Sequence, residues 1–181
     1  MITDGPLPGL KLYTPRVFGD DRGYFFEVYN DRLWREAGVE ADFVQDNQAF
    51  SSRGVLRGLH YQRGEHAQAK LVRVIEGEVL DVAVDCRPDS PTYGRHHAVL
   101  LSGERHNQFF VPRGFAHGYA VLSETALFAY KCDNFYAPES EGGIRWDDPA
   151  LAIDWRLAAS EVRVSEKDAT LPRFGEHAAA L

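Results

Sequence analysis

Short runs of apolar residues alternate with polar positions along most of the chain, and Gly, Pro and Asp separate the runs. Alternation of this kind predicts β-strands, and turns every 8–12 residues or so are typical of an all-β sandwich or barrel. The predicted strands cover residues 10–17, 23–29, 43–51, 55–61, 69–75, 79–85, 96–101, 108–111, 116–122 and 126–133.

One predicted strand shows how its faces divide. Leu80, Val82 and Val84 lie on one side of the run 79–85, and Val79 and Ala83 share the other side with two aspartates. Because successive strand residues point to opposite faces, this pattern predicts a half-buried strand with a single apolar face.

One clear helix interrupts the strands, and the tail follows a different pattern. Asn30 is a good N-cap, Asp31 suits the first turn, and Gly38 can end the helix. After residue 146 we predict a turn at 147–149, then a short extended piece, and a brief helix or loop over residues 160–169. The prediction is one all-β domain, residues 1–181, with a few short helices and a C-terminal extension from about residue 147.

Composition and charge narrow the class of protein. Hydrophobic residues make up 44% and charged residues 26% of the 181 residues, as in ordinary globular domains. Lys and Arg number 20 against 27 Asp and Glu, so the formal net charge is −7. This acidic balance argues against nucleic acid as a partner, yet it allows a small anionic ligand held by a few arginines.

The cysteines and the first residues predict a compartment. Cys86 and Cys132 are too few for a disulfide framework and lack metal-site spacing, so we expect buried free thiols in a reducing environment. No signal-peptide pattern opens the chain, and no apolar run approaches the roughly 18 residues that span a bilayer. A soluble cytoplasmic protein without a membrane partner is expected.

Two histidine motifs carry the first chemical signal. His60 follows Gly54 after five residues, and Pro112-Arg-Gly-Phe-Ala-His117 forms a second motif downstream. Together they resemble the paired motifs of the cupin superfamily, which implies a double-stranded β-helix, or jelly-roll barrel.

The metal ligands of that superfamily are incomplete in this chain. Gln62 stands where metal-binding cupins have a second His, and His66 and Ala67 occupy the region of the expected Glu. A divalent site usually needs three or four His or carboxylate ligands. A metal-dependent cupin such as a dioxygenase, using His60, His117 and His66, remains an alternative, as does a structural role for both histidines.

Strand alternation raises a difficulty for the residues near His60. Arg57 and His60 point to opposite faces of a regular strand, so both point inward only if the strand bulges near Gly54 or Gly58.

Other polar residues lie in runs that otherwise look like core. Lys70 either faces solvent or, if it points inward, is partnered or stabilises an anion. Tyr130 is either a core residue or a functional one. Gln45, Asp46 and Asn47 occupy positions where apolar residues would pack better, which suggests hydrogen bonding to a ligand.

A histidine base, a cation and a tyrosine acid suit proton abstraction next to a carbonyl. The base takes the α-proton, the cation stabilises the enolate oxygen, and the acid returns a proton. With ordinary pKa values of about 6.5 and about 10, His and Tyr start in the required protonation states at neutral pH. If base and acid lie on opposite sides of the carbon, the centre inverts without a metal or organic cofactor.

Seven stretches, in order along the chain, resemble the dTDP-4-dehydrorhamnose 3,5-epimerase family. The resemblance spans about residues 10–172, and its stretches are residues 18–27, 43–47, 54–62, 68–73, 111–118, 130–139 and 141–146. It implies a cupin fold and epimerisation at C3 and C5 of dTDP-4-dehydro-6-deoxy-D-glucose, without cofactor or metal. The product, dTDP-4-dehydro-L-rhamnose, leads to dTDP-L-rhamnose for cell-surface polysaccharide.

The same resemblance implies a role for individual residues. His60 is the base, Asp168 orients it, Tyr130 is the acid and Lys70 stabilises the enolate. Tyr136 stacks on thymine, and the implied substrate contacts are Arg22, Phe25, Glu27, Gln45, Asn47, Arg57, Lys70, His117, Glu141 and Lys167. Of these, Arg22, Arg57 and Lys167 are candidates for the diphosphate.

The resemblance also implies a homodimer with exchanged N-terminal strands. Arg22, Phe25 and Glu27 would then serve the neighbouring subunit's site. There are two alternatives. One is a related enzyme that inverts a single centre of another dTDP-keto-deoxysugar, and the other is a sugar-nucleotide-binding cupin without catalysis.

Overall fold

The computed structural model describes residues 1–178 and 180, and β-strands dominate it. In chain order the strands are β1 (Ile2–Asp4), β2 (Lys11–Tyr13), β3 (Phe18–Asp20), β4 (Gly23–Phe25), β5 (Gln45–Ser52), β6 (Leu56–Gln62), β7 (Lys70–Glu76), β8 (Glu78–Asp85), β9 (His96–Ser102), β10 (Gln108–Val111), β11 (Phe115–Val121), β12 (Thr125–Cys132) and β13 (Glu141–Gly143). The helices are α1 (Asp31–Glu36) and α2 (Glu166–Ala169), with 3₁₀ turns at Gly64–His66 and Pro138–Ser140.

Two sheets carry the architecture. A six-stranded sheet has the order β1-β2-β10-β7-β12-β5, and a five-stranded sheet has the order β13-β6-β11-β8-β9. Their pairs are antiparallel, and β3 and β4 form a separate hairpin. This is the predicted all-β, jelly-roll class.

The main core lies between the two sheets. Val72 and Phe128 from the larger sheet pack in one cluster with Ala83 and Tyr119 from the smaller sheet. Each sheet buries one face in this core. Every second residue of the central strands therefore points into the space between the sheets.

The prediction that strand β8 is half-buried is wrong. Every residue from Val79 to Asp85 is buried. Leu80, Val82 and Val84 pack against the C-terminal segment, including Leu151 and Trp155, on the outer face of the smaller sheet. The second face of β8 lies toward the core between the sheets and carries two buried aspartates, Asp81 and Asp85.

Most predicted strands appear with ends shifted by one or two residues, but two are much shorter than predicted. The run 10–17 is a strand only over Lys11–Tyr13, because Pro15 lacks the amide that a ladder needs. The run 23–29 is a strand only over Gly23–Phe25. The three-residue strands β1, β3 and β13 have no counterpart in the predicted runs.

Both helices follow local capping signals. The Asn30 side chain accepts the Leu33 amide as the predicted N-cap of α1, and Gly38 beyond its end has a left-handed φ of 82°. In the tail, the Ser165 hydroxyl caps α2 by accepting the Asp168 amide at 3.1 Å. That short helix carries Lys167 and Asp168 to the edge of the smaller sheet.

Two further expectations concern the whole chain. Cys86 and Cys132 are buried free thiols, as predicted. Among residues 1–178 and 180, no helix has the length and apolar character needed to cross a membrane.

Candidate active site

A β-bulge in strand β6 sets the direction of the side chains around it. His60 pairs with His117 and Arg57 pairs with Tyr119, so two residues of β6 oppose the single residue Gly118 of β11. A Cβ on Gly58 would lie 2.6 Å from the Gly118 Cα, so only glycine fits this close approach. The irregularity anticipated near Gly58 is therefore present, and it turns Arg57 and His60 toward the same cavity.

That cavity lies between the two sheets and has a volume of about 500 Å³. The sheets and helix α2 each contribute polar side chains to it. The smaller sheet supplies Arg57, His60 and His117, the larger sheet supplies Lys70 and Tyr130, and α2 supplies Lys167 and Asp168.

The side chains of His60 and Asp168 are in direct hydrogen-bond contact. The His60 Nε2 lies 2.6 Å from Asp168 Oδ1, and the second carboxylate oxygen accepts the Gly58 amide at 3.2 Å. Burial alone raises the pKa of Asp168, but the hydrogen bonds from His60 and Gly58 hold that pKa below its ordinary value. An ionised Asp168 fixes the His60 tautomer with the proton on Nε2, so Nδ1 is left as the basic atom.

Tyr130 lines the cavity from the sheet opposite that of His60. It lies on β12, with its ring 6.0 Å from that of the core residue Phe128. Burial raises the pKa of the Tyr130 phenol to about 12, so the hydroxyl keeps its proton at neutral pH.

Lys70 points into the cavity from β7, next to β12. Within the described residues its ammonium group has no carboxylate within salt-bridge distance. Burial lowers the pKa of Lys70, while the charges of Asp81 and Glu141 oppose that shift. A cation held in this way gains from an anion that enters the cavity.

A second histidine–aspartate pair lies beside the first. His117 Nε2 is 2.9 Å from Asp81 Oδ1 and 3.0 Å from Oδ2, and Asp81 is fully buried on β8. Sequence reasoning missed Asp81 as part of the site. The available signal was its position on the face of β8 opposite Leu80 and Val82.

A smaller recess of about 100 Å³ adjoins the cavity and shares His60, Lys70 and Tyr130 with it. Gln45, Asn47, Tyr136 and Glu141 also line this recess. Glu141 accepts hydrogen bonds from the Tyr136 hydroxyl at 2.9 Å and from Lys167 Nζ at 2.5 Å, and these bonds lower the pKa of Glu141 against the effect of burial. The recess thus combines amide groups, an aromatic face and a carboxylate.

Three residues of the predicted site lie elsewhere in the described chain. Arg22 forms an ion pair with Asp20 at 2.5 Å on the β3–β4 hairpin, Phe25 is 70% exposed, and Glu27 follows on the exposed segment after β4. None of the three lines the cavity or its recess.

The residues at the positions of the missing cupin metal ligands have roles other than metal binding. Gln62 donates to the carbonyls of His66 and Phe135 at 2.7 and 3.0 Å and accepts the Ala137 amide at 2.7 Å, so it ties two loops together. His66 lies in a 3₁₀ turn and does not line the cavity. In the part of the chain that the structure describes, no three His, Cys, Asp or Glu side chains are grouped to hold a metal ion.

Comparison with known proteins gives one consistent answer. The family profile for dTDP-4-dehydrorhamnose 3,5-epimerase matches residues 4–176. The enzyme of that name from Pseudomonas aeruginosa is 56% identical over 163 residues, which are 90% of this chain and 89% of the relative.

Solved structures agree with the sequence comparison. The dTDP-4-dehydrorhamnose 3,5-epimerase of Elizabethkingia anophelis matches with a TM-score of 0.94 and 52% identity over 97% of each chain. The 3,5-epimerase of Legionella pneumophila, solved with dTDP-4-keto-L-rhamnose, matches with a TM-score of 0.93 and 48% identity over 97% of this chain and 93% of that one. The chain belongs to the dTDP-4-dehydrorhamnose 3,5-epimerase family.

Proposed function

We infer that this chain is an epimerase that inverts C3 and C5 of dTDP-4-dehydro-6-deoxy-D-glucose to give dTDP-4-dehydro-L-rhamnose. One observation carries the chemistry: a carboxylate-paired imidazole and a protonated phenol face one cavity from opposite sheets. The C4 ketone makes the protons on C3 and C5 acidic, so each centre can be deprotonated and then reprotonated from the other side. Family membership and the Legionella complex with the keto-sugar support this substrate.

His60 is the proposed base. Its Nε2–H donates to Asp168, so Nδ1 takes the proton from carbon. The imidazolium that forms lies next to the Asp168 carboxylate, which stabilises the new positive charge. Asp168 is therefore a positioning residue, and it contacts the base rather than the sugar.

Lys70 and Tyr130 are proposed to complete the reaction from the larger sheet. As the proton leaves C3 or C5, negative charge builds on the ketone oxygen, and the Lys70 ammonium stabilises it in a partly water-free cavity. Tyr130 then donates its phenolic proton to the carbon from the side opposite His60. Proton exchange with solvent restores both residues before the second centre reacts.

The remaining polar groups are proposed to hold the nucleotide. Arg57 and Lys167 suit the diphosphate, and His117, held by Asp81, contacts the sugar. Gln45, Asn47 and Glu141 offer hydrogen bonds in the recess where the exposed Tyr136 ring can stack on thymine.

A homodimer with exchanged N-terminal strands is proposed to complete the site. The β3–β4 hairpin exposes Phe18, Tyr24 and Phe25, a group of aromatic side chains that a lone chain leaves in water. A second cavity, of about 410 Å³, is lined by the larger sheet and shares Asn47 and Tyr130 with the recess. A partner hairpin would bring its own Arg22, Phe25 and Glu27 to this chain's nucleotide.

The proposed function is tested by incubating the protein with dTDP-4-dehydro-6-deoxy-D-glucose in deuterium oxide and following the sugar by NMR. We expect deuterium at both C3 and C5 together with inverted configuration at both centres. Deuterium and inversion at one position alone would identify a single-centre epimerase. Turnover should be unchanged after dialysis against a chelator, and loss of activity that iron restores would favour the metal-dependent alternative.

A further inference from the structure

We propose that Arg163 is a further phosphate-binding residue of the active site, contacting the nucleotide diphosphate beside Arg57 and Lys167. The proposal rests on the proposed function, because the diphosphate belongs to the inferred substrate. Arg163 is not among the contacts that the family resemblance implies for this chain. Its assignment comes from its position in this structure.

The backbone of Arg163 is fixed beside the strand that carries the base. Its amide donates to the Gly54 carbonyl at 2.8 Å, and its carbonyl accepts the Leu56 amide at 2.9 Å. These bonds form a parallel bridge between Val55 and Arg163, next to Arg57. An arginine whose backbone is held on both sides loses less freedom on binding than one on a loose loop.

Arg163 lines the catalytic cavity. The acidic residue nearest to it along the chain, Glu161, already has other partners. Glu161 forms an ion pair with Arg53 at 3.5 Å and accepts the Ala158 amide at 3.0 Å. Within residues 1–178 and 180, Arg163 has no carboxylate within salt-bridge distance. Its guanidinium is therefore available to a ligand.

Charge along the cavity wall favours an anion with more than one negative charge. Arg57, Lys70, Arg163 and Lys167 line the cavity, and Lys167 also pairs with Glu141 in the adjoining recess. Among the described lining residues Asp168 is the sole carboxylate, and it is already paired with His60. Such an excess of cations is unusual in a chain whose net charge is −7. Repulsion between these cations is relieved by a diphosphate, and guanidinium groups bind two phosphate oxygens at once.

The test compares Arg163→Gln and Arg163→Lys with wild type and with Arg156→Gln, a matched control that removes an exposed arginine of the same segment outside the cavity wall. Dissociation constants for dTDP, thymidine and pyrophosphate are measured by titration calorimetry. We expect R163Q to weaken dTDP and pyrophosphate by about tenfold, as for loss of one charge-assisted contact, and to leave thymidine unchanged. R163K should recover part of the loss, and R156Q should bind like wild type.

Kinetics supply a second measurement. R163Q should raise KM for the keto-sugar nucleotide by a similar factor and leave kcat nearly unchanged, because the diphosphate does not change during the reaction. Three results would each overturn the proposal: equal weakening of thymidine and dTDP binding, equal losses in R163Q and R156Q, or wild-type binding by R163Q. If pyrophosphate binding depends on Arg163 but no epimerisation occurs, the phosphate contact stands and the proposed function fails.

Discussion

Replacing His60 with Asn is expected to abolish deuterium incorporation at both C3 and C5. It should also lower kcat by about 10²–10⁴-fold, the usual contribution of a general base. Asn is the informative substitution because it removes the basic ring nitrogen and keeps a polar amide near Asp168. Its shorter side chain does not reach the position of His60 Nε2, which lies 2.6 Å from Asp168 Oδ1 in the native protein. An alanine at this position leaves a buried carboxylate without its partner and risks unfolding the site. Loss of activity in folded H60N therefore reports the loss of the basic Nδ1 atom.

His66→Asn is the matched control for this experiment. His66 lies in a 3₁₀ turn outside the cavity, so H66N should exchange both protons at the wild-type rate. Binding of dTDP and thermal unfolding establish that H60N is folded. Persistent exchange in folded H60N would remove His60 as the base, and loss of activity in H66N would favour the three-histidine metal hypothesis.

Replacing Tyr130 with Phe is expected to slow inversion by about 10²–10⁴-fold and to leave dTDP binding almost unchanged. The change deletes one hydroxyl and keeps the ring that packs 6.0 Å from Phe128. Because His60 still abstracts the proton, and exchanges it with solvent, deuterium should enter C3 and C5 with retained configuration. Exchange without inversion is the signature of an acid missing from the opposite face.

Tyr93→Phe is the matched control for Y130F. Tyr93 is a partly exposed tyrosine that packs on Phe174 and does not line the cavity, so Y93F should behave like wild type. Unchanged inversion in Y130F would require another proton donor. Simultaneous loss of exchange and inversion would place Tyr130 in the deprotonation step instead.

Alternation along the chain was sufficient to predict the central strands, but the burial of both their faces was not predictable from it. Strand β8 looked half-buried because Asp81 and Asp85 interrupt one face. In the structure the C-terminal segment covers Leu80, Val82 and Val84, and that contact links residues far apart in sequence. Asp81 is buried because His117 partners it, which a single strand pattern does not reveal.

The strands that were missed are those that local sequence does not specify. Strand β13 contains Gly142 and Gly143, which have low β-propensity, and it forms because it pairs with β6. Pairing partners outweigh propensity in such short segments.

Candidate site residues differed in how well the sequence could find them. Lys70 and Tyr130 stood out as polar groups in apolar runs, and both line the cavity. Asp46 stood out in the same way, yet it faces outward and pairs with Lys131 at 2.9 Å, because it alternates with Gln45 and Asn47.

Asp168 illustrates what a resemblance adds to local reasoning. On sequence alone it is an acid in a polar tail, and nothing nearby indicates burial. The cap formed by Ser165 and the contact with His60 across more than a hundred residues make it part of the site. Long-range contacts of this kind were available only through the family's motif pattern.

The central claim is that one carbon lies between the His60 imidazole and the Tyr130 phenol. A crystal structure with dTDP-glucose, which lacks the C4 ketone and does not react, tests it directly. We predict that the hexose occupies the cavity with C3 and C5 within reach of His60 Nδ1 on one side and the Tyr130 hydroxyl on the other. A hexose bound with both groups on the same side, or bound outside the space between the sheets, would contradict the account.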